Sequence, residues 1–221
     1  MLELDVHSDE SVARCVQTVI DRAGGLDVLV NNAGYLVAGA VEEVTIADAK
    51  AQFETNFFGV ARMLRAVLPH MRSRGRGHLI TISSLAGLVP VPFWGYYNAS
   101  KFAVEGLVET LRFETRPFGI KVALVEPGAI KTPFYTQPHA ATLPDYARWR
   151  EAALSAMAGF EAKAPGPELV ANLVAKIART KEPKLRNRVT REATMFSLLR
   201  WLLPANAFAA GVRRGFGINF R

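Results

Sequence analysis

The chain has 221 residues, half of them apolar, and a formal net charge of +7. This length and apolar content predict one large domain with a substantial core, and they exclude a disordered chain. The single cysteine, Cys15, allows no internal disulfide and indicates a reducing compartment, so we expect a cytoplasmic protein.

The sequence gives no signal for export or for a membrane span. Two of the first five residues are acidic, and no long apolar run follows them, so we expect no signal peptide. No uncharged apolar stretch reaches the roughly 18 residues that cross a bilayer.

The positive charge is concentrated near the end of the chain. Residues 176–221 contain eleven Lys and Arg against two acidic residues, which leaves a balance of −2 for the first 175. No nucleic-acid-binding motif accompanies this charge, so we expect no nucleic-acid partner. The histidines lack the spacing of metal ligands, and we expect no metal. They are His7, His70, His78 and His139.

The first elements predict a right-handed βαβ unit. Residues 2–6 alternate as a strand does, and Val12 to Ile20 repeat at helical spacing until Gly24 ends the helix. Residues 26–30 have the apolar character of a buried parallel strand. A strand, a helix and a second strand in this order form the unit.

Strands and helices continue to alternate along the chain. The sequence predicts strands at 78–84, 120–125 and 184–189, and helices at 47–74, 97–116, 146–158 and 168–179. This order predicts an α/β fold with a doubly wound parallel sheet. We expect one domain over 1–221: a core over 1–132, a lid over 133–166 (the lid segment) and C-terminal helices with a basic apolar tail over 167–221.

Two asparagine motifs have open interpretations. Asn31, Asn32, Ala33 and Gly34 follow the second strand, where small residues let the backbone approach a ligand, but the same residues also form ordinary turns. Asn56 lies between apolar neighbours in the long helix. Its amide needs a partner, which is either backbone at a kink or a functional group.

The most informative motif is a tyrosine and a lysine four residues apart. Tyr97 and Lys101 share one face of a predicted helix. A close ammonium favours the phenolate and lowers a pKa that is normally about 10, which suits a proton donor. Ser84 ends the preceding strand, where open α/β sheets bind ligands. The alternative is an aromatic side chain packed beside a solvated lysine.

Taken together, these motifs resemble the classical short-chain dehydrogenase/reductase family. Their order and spacing match over residues 2–136. The resemblance implies a Rossmann-like fold and hydride transfer between a nicotinamide cofactor and the carbon of an alcohol or ketone. The motifs that carry it are Asn31 to Gly34, Asn56, Ser84, Tyr97 with Lys101, and Pro127 and Gly128 with Thr132.

The resemblance implies a catalytic tetrad. Tyr97 would donate or accept the proton of the substrate oxygen, and Ser84, rather than Ser83, would hold that oxygen by a hydrogen bond. Lys101 would lower the tyrosine pKa and bond the nicotinamide ribose. Asn56 would support a water that relays protons toward Lys101.

The resemblance also implies NAD or NADP as cofactor, without a choice between them. Asp5 and Val6 would contact the adenine, and the residues after the second strand would line the cofactor. The implied cofactor contacts are Asp5, Val6, Asn31, Ala33, Gly34, Tyr97, Lys101, Pro127, Gly128 and Thr132.

One departure from the family pattern concerns the start of the chain. The first strand resembles the family's third strand, and no Gly-rich pyrophosphate turn precedes Asp5. We therefore expect a chain that lacks the first two strands, as a fragment or a shortened gene model, and that binds dinucleotide poorly. Its sheet would have an exposed edge, or residues 2–6 would pair directly with 26–30.

We expect a lipophilic alcohol or ketone as substrate, because aromatic residues are frequent in and around the lid segment, although they could equally form core. They are Phe93, Trp94, Phe134, Tyr135, Tyr146 and Trp149, with Met157. The alternative is a non-catalytic binding or scaffold protein.

The family resemblance also implies a homodimer or homotetramer assembled through helices 47–74 and 97–116. The basic tail favours a helix that covers the substrate pocket or forms a dimer contact. Contact with an anionic membrane surface is the alternative.

Overall fold

The computed structural model describes residues 1–132, 134, 136–138 and 142–218, so Pro133, Tyr135 and His139 lie outside the described residues. The strands within these ranges are β1 (Val28–Asn31), β2 (Leu36–Ala38), β3 (Gly77–Ile82), β4 (Ile120–Glu126), β5 (Thr136–Pro138) and β6 (Arg186–Arg188). Four of them form a parallel sheet in the order β1-β3-β4-β6, and β2 pairs with β5 in a second parallel pair.

Helices cover both faces of the larger sheet, as the alternating pattern predicted. They are α1 (Asp9–Ala23), α2 (Ile46–Phe53), α3 (Gly59–Arg74), α4 (Gly95–Thr115), α5 (Pro144–Ala162), α6 (Glu168–Arg179), α7 (Arg191–Leu202) and α8 (Ala205–Gly215). The predicted α/β fold with a doubly wound, Rossmann-like parallel sheet is therefore confirmed.

The core has two layers because neighbouring strand residues point to opposite faces. On one face, Leu79 and Leu124 pack with residues of α1, α3 and α4 such as Val67. On the other face, Ile80 packs with Ile177 of α6. Burial on both faces explains why β3 and β4 are apolar almost throughout.

The predicted strand over residues 2–6 is wrong. This segment forms no strand, and its polar backbone groups are satisfied locally instead. The Asp5 N–H donates to Ser11 Oγ at 3.0 Å, and the Ser8 N–H donates to the Asp5 carbonyl at 3.2 Å. Within the described residues, β1 is therefore an edge strand, and Val30 is 40% exposed. The exposed edge is the alternative that holds.

The predicted helix 47–74 is interrupted. Residues Glu54–Phe58 form a π-helical turn between α2 and α3. Such single turns widen the helix and are frequent at functional sites. The pair of β2 and β5 is a further element that the sequence pattern did not indicate.

Candidate active site

The predicted site residues meet where three parallel strands end. Asn31 is the last residue of β1, Ser84 lies two residues after β3, and Pro127 directly follows β4. The Leu85 N–H donates to the Pro127 carbonyl at 2.7 Å, and Asn31 Nδ2 donates to Thr81 Oγ1 at 3.3 Å. Because the strands are parallel, these loops share one edge, which is where open α/β sheets bind ligands.

The π-helical turn carries Asn56 inward. Its Oδ1 accepts from the Tyr35 N–H at 3.0 Å, and its Nδ2 donates to the Tyr35 carbonyl at 3.0 Å and to Ser100 Oγ at 3.2 Å. The buried amide thus ties the loop after β1 to α4. The side chain therefore has backbone partners beside the π-helical turn and one side-chain partner on the helix of Tyr97, and its functional role stays a prediction.

Tyr97 is the third residue of α4, and its side chain is buried. The Ser84 hydroxyl lies close enough to this phenol to influence its ionisation. Burial raises the pKa of Tyr97 to about 12, and the Ser84 hydroxyl opposes this rise. The expected lowering of the Tyr97 pKa is therefore wrong for the described residues, because loss of water outweighs the polar partner.

Lys101 lies one helical turn after Tyr97, as the spacing predicted. Its Nζ donates to the Ile82 carbonyl at 3.0 Å and lies 5.7 Å from the centre of the Tyr97 ring. Burial lowers the pKa of Lys101 to about 8, and the Glu105 carboxylate opposes this shift. The solvated lysine of the alternative interpretation is excluded, because this side chain is buried.

Gly34 approaches both Asn56 and Lys101. A Cβ added at Gly34 would lie 3.1 Å from Asn56 Oδ1 and 3.8 Å from Lys101 Nζ. The loop after β1 therefore brings bare backbone beside the buried ammonium. The Gly34 backbone and the Lys101 ammonium together fit the ribose of a nicotinamide nucleotide, because a ribose needs hydrogen-bond donors and a backbone that approaches closely. Ala33 is exposed on the same loop.

The loop after β4 has an equally close contact. A Cβ at Gly128 would collide with Thr190 Oγ1, which caps α7. Gly128 is therefore required for the packing of this loop on α7. Thr132 is exposed, four residues further along.

The two predicted adenine contacts lie beside the start of α3. The Val6 carbonyl accepts from Arg62 at 3.2 Å, and a Cβ at Gly59 would lie 2.9 Å from the Val6 side chain. Asp5 is exposed, and its Oδ1 accepts from the His7 N–H at 2.9 Å. Val6 thus borders the residue that follows the π-helical turn holding Asn56.

Apolar side chains surround the phenol. The Tyr97 ring meets Trp94 at 5.6 Å and Phe134 at 6.1 Å between ring centres, both edge to face. Met157 of α5 and Phe216 after α8 pack against the same cluster. Trp94, Phe134 and Met157, which the sequence indicated as apolar residues in and around the lid segment, therefore lie around Tyr97. Tyr146 instead donates from its hydroxyl to Glu42 Oε2 at 2.9 Å.

Sequence reasoning missed a charged network next to Lys101. Arg186 bonds Glu105 of α4 and Glu126 of β4, and both carboxylates are buried. The only signal was the position of Glu105, one turn after Lys101. Its partner Arg186 is 81 residues away along the chain, and no spacing rule connects them.

The described residues contain neither a cluster of metal ligands nor a membrane-spanning helix. Within the ranges given above, no three His, Cys, Asp or Glu side chains are grouped as metal ligands. No helix in the described part of the chain has the length and apolar character needed to cross a membrane.

The chain is similar in sequence to two oxidoreductases that cover most of it. It is 38% identical to a 3-ketodihydrosphingosine reductase of Bacteroides thetaiotaomicron, over 99% of this chain and 83% of that protein. It is also 38% identical to retinol dehydrogenase 8 of Bos taurus, over 93% of this chain and 68% of that protein. Residues 1–141 match the family described as short chain dehydrogenase.

Two solved structures have folds similar to that of this chain. A short-chain dehydrogenase from Streptomyces avermitilis superposes with a TM-score of 0.81 at 33% identity, covering 96% of this chain and 78% of that one. The protein ElxO, solved with NADP bound, superposes with a TM-score of 0.71 at 27% identity, covering 87% and 77%.

Proposed function

Since the chain belongs to the short-chain dehydrogenase family, we propose that its site reduces the carbonyl group of a lipophilic ketone with NADH or NADPH. The observation that carries this proposal is the position of the Ser84 hydroxyl beside the buried Tyr97 phenol, with Lys101 one helical turn away. A nicotinamide cofactor agrees with the bare backbone of Gly34 beside the ammonium.

The protonation state of Tyr97 agrees with a role as proton donor in the reduction of a carbonyl group. With a pKa raised to about 12, the phenol holds its proton at neutral pH and can donate it. In the proposed reaction, Tyr97 Oη gives this proton to the carbonyl oxygen while Ser84 holds that oxygen. The bound cofactor supplies the hydride. Lys101 would bind the ribose and stabilise the phenolate that remains.

Replacement of Tyr97 by Phe tests this role. The phenol oxygen is the only change, so turnover of a long-chain ketone should fall by roughly 10²–10⁴-fold. The neighbouring Tyr96 provides a matched control, because it packs against a different apolar cluster, and Tyr96→Phe should change turnover only slightly. Equal turnover in wild type and Tyr97→Phe would refute the proposal.

The proposed substrate class rests on the apolar surroundings of the phenol. Trp94, Phe134, Met157 and Phe216 leave little polar surface for a hydrophilic substrate. The names of two relatives, a 3-ketodihydrosphingosine reductase and a retinol dehydrogenase, agree with a long apolar substrate. In a series of alkyl ketones, kcat/KM should rise by up to about fourfold for each added CH₂ until the pocket is filled.

We further propose that residues 133–166 act as the lid and that the protein is a homodimer or homotetramer. A groove of about 590 Å³ lies between α1, α3 and α4, lined in part by Phe57, Phe58 and Leu107. Phe113 of α4 is 75% exposed. These apolar surfaces support assembly through the long helices. A cytoplasmic location stays a prediction from the single cysteine.

The C-terminal tail supports two roles. Phe216 packs in the Tyr97 cluster, which supports the favoured role of covering the substrate pocket. The outer face of α7 differs, because Trp201 is 83% and Leu202 64% exposed beside the exposed Arg200. We propose that this face contacts an anionic membrane surface, since interfacial helices combine such aromatic and cationic side chains.

The non-catalytic alternative has less support. A scaffold role places no demand on a hydroxyl beside the Tyr97 phenol or on a buried Lys101. Burying an ammonium costs free energy, which a catalytic role explains and a scaffold role does not. Absence of turnover in the wild type with every ketone tested would favour the alternative.

A further inference from the structure

Five charged side chains form a cluster at the edge of the active site. Arg186 of β6 bonds Glu105 of α4, Glu126 of β4 at 2.9 Å and Glu109 of α4 at 2.9 Å. Arg188 of β6 lies 3.6 Å from the second oxygen of Glu126. We call these residues the Arg186 cluster. Three carboxylates and two guanidinium groups give it one net negative charge when all are ionised.

The cluster is held in place by strand pairing. In the parallel register, Leu124 is opposite Arg186 and Glu126 is opposite Arg188. Leu124 packs on the sheet face that α4 covers. Because alternate strand residues share a face, Glu126, Arg186 and Arg188 point to the same side. The guanidinium group of Arg186 therefore points from the sheet toward α4.

Glu105 connects this cluster to the catalytic helix. It is one turn after Lys101, and its side chain is only 5% exposed. Ser83 Oγ and the Glu105 Cγ both lie within 3.1 Å of the position of a Cβ at Gly87, so the carboxyl group is packed beside the end of β3. Arg186 keeps this buried carboxylate paired, and an unpaired one would be costly.

We propose that Glu105 is a positioning residue of the active site. Its carboxylate, which Arg186 holds in place, keeps the Lys101 side chain protonated during the reaction. Lys101 bonds the Ile82 carbonyl, which is neutral. The negative charge that supports the ammonium comes from Glu105. The inference rests on the proposed role of Lys101, and it assigns to β6 a part in setting the charge next to Tyr97.

The direction of the effect follows from the charges. Burial lowers the pKa of Lys101 to about 8, and ionised Glu105 raises it. Burial also raises the pKa of Glu105 to about 7; Glu126 raises it further, while Ser83 and Arg186 lower it. Between about pH 7 and pH 8 both groups are therefore mainly charged. Removing the carboxylate should move the loss of the lysine charge to lower pH.

Lysine titration by NMR tests the proposal without reference to turnover. With ¹³Cε-labelled lysine, the Lys101 signal is assigned by its absence in Lys101→Arg. In Glu105→Gln, the pKa of Lys101 should fall by about one unit, the effect of losing one carboxylate a helical turn away. Glu109→Gln is the matched control, because Glu109 also bonds Arg186 but lies a turn further from Lys101. Its Lys101 titration should match the wild type.

The wild-type titration gives a second measurement that does not depend on the folding of Glu105→Gln. The Lys101 signal should show an additional inflection near pH 7, where Glu105 takes up its proton. A single inflection in the wild type, or an unchanged Lys101 pKa in Glu105→Gln, would overturn the proposal. Failure of the proposed function would show instead as turnover in Tyr97→Phe, with the lysine titration unaffected.

Discussion

A buried carboxylate, Glu43, connects the loop after β2 to α5 of the lid segment. Its Oε2 accepts from the Ala40 N–H at 2.8 Å, and its Oε1 accepts from the Leu143 N–H at 2.9 Å and from Arg150. Leu143 caps α5 and Arg150 lies within it. We predict that Glu43→Gln detaches α5 from the loop after β2.

The magnitude follows from the burial of this pair. The Glu43 side chain is fully buried and that of Arg150 is 11% exposed. Replacing one partner of a buried ion pair leaves the other charge uncompensated, which costs about 3–5 kcal/mol. Gln keeps the shape but loses the charge, and its NH₂ group would face another donor. We therefore expect a loss of stability in this range, or local opening of α5 where opening costs less.

Two measurements distinguish these outcomes. Denaturant unfolding reports the global loss, and amide hydrogen exchange reports opening of α5. Glu42→Gln is the matched control, because Glu42 is exposed and bonds Tyr146 of the same helix, and it should change neither measurement appreciably. If Glu43→Gln matched Glu42→Gln in stability and in exchange of α5, the anchoring argument would be wrong.

Three further predictions concern the cofactor loop, pH and the tail. Gly34→Ala should weaken NADP binding by about tenfold, since its Cβ would meet the Asn56 side chain at 3.1 Å. Gly211→Ala is the control, because a Cβ there meets nothing within 4 Å, and it should leave NADP binding unchanged. Equal NADP titration curves for the two variants would contradict this prediction. Because the pKa of Glu105 is raised to about 7 from 4.5 in the folded state, the free energy of unfolding should fall by up to about 3 kcal/mol as pH rises from 4.5 through 7. Glu105→Gln should flatten this dependence, and an unchanged slope would count against it. Trp201→Ser should reduce co-sedimentation with phosphatidylglycerol vesicles, whereas Ile46→Ser, also exposed, should leave it intact; loss in both would indicate a general apolar effect.

Much of the fold could be predicted because its signals are local. The apolar runs of β3 and β4 and the helical repeats of α4 and α6 depend on residues close in sequence. The helix predicted over 168–179 agrees with α6, at Glu168–Arg179. The strand predicted over 2–6 failed because alternation alone does not supply a pairing partner, and a turn at Asp5 satisfied the backbone instead.

The candidate site likewise has a part that could be predicted from the sequence and a part that could not. The shared face of Tyr97 and Lys101 follows from their spacing on one helix, and the structure places both side chains beside the end of β3. The inward position of Asn56 was not predictable, because the Tyr35 backbone that its amide bonds is 21 residues away along the chain. The raised pKa of Tyr97 was also missed. The sequence shows the nearby ammonium but not the extent of burial.

The environment of Lys101 therefore depends on a local feature, the helical periodicity of α4, and on a long-range feature, the register of β6. Only the local feature can be predicted from a sequence motif. Helical periodicity places Glu105 one turn from Lys101 whatever the tertiary structure. The register of β6 on β4 decides whether Arg186 reaches that carboxylate. A slip of one residue would turn Arg186 and Arg188 to the opposite face. It would leave Glu105 and Glu126 buried without a guanidinium, so strand pairing at this edge of the sheet and the charge beside Tyr97 depend on one another.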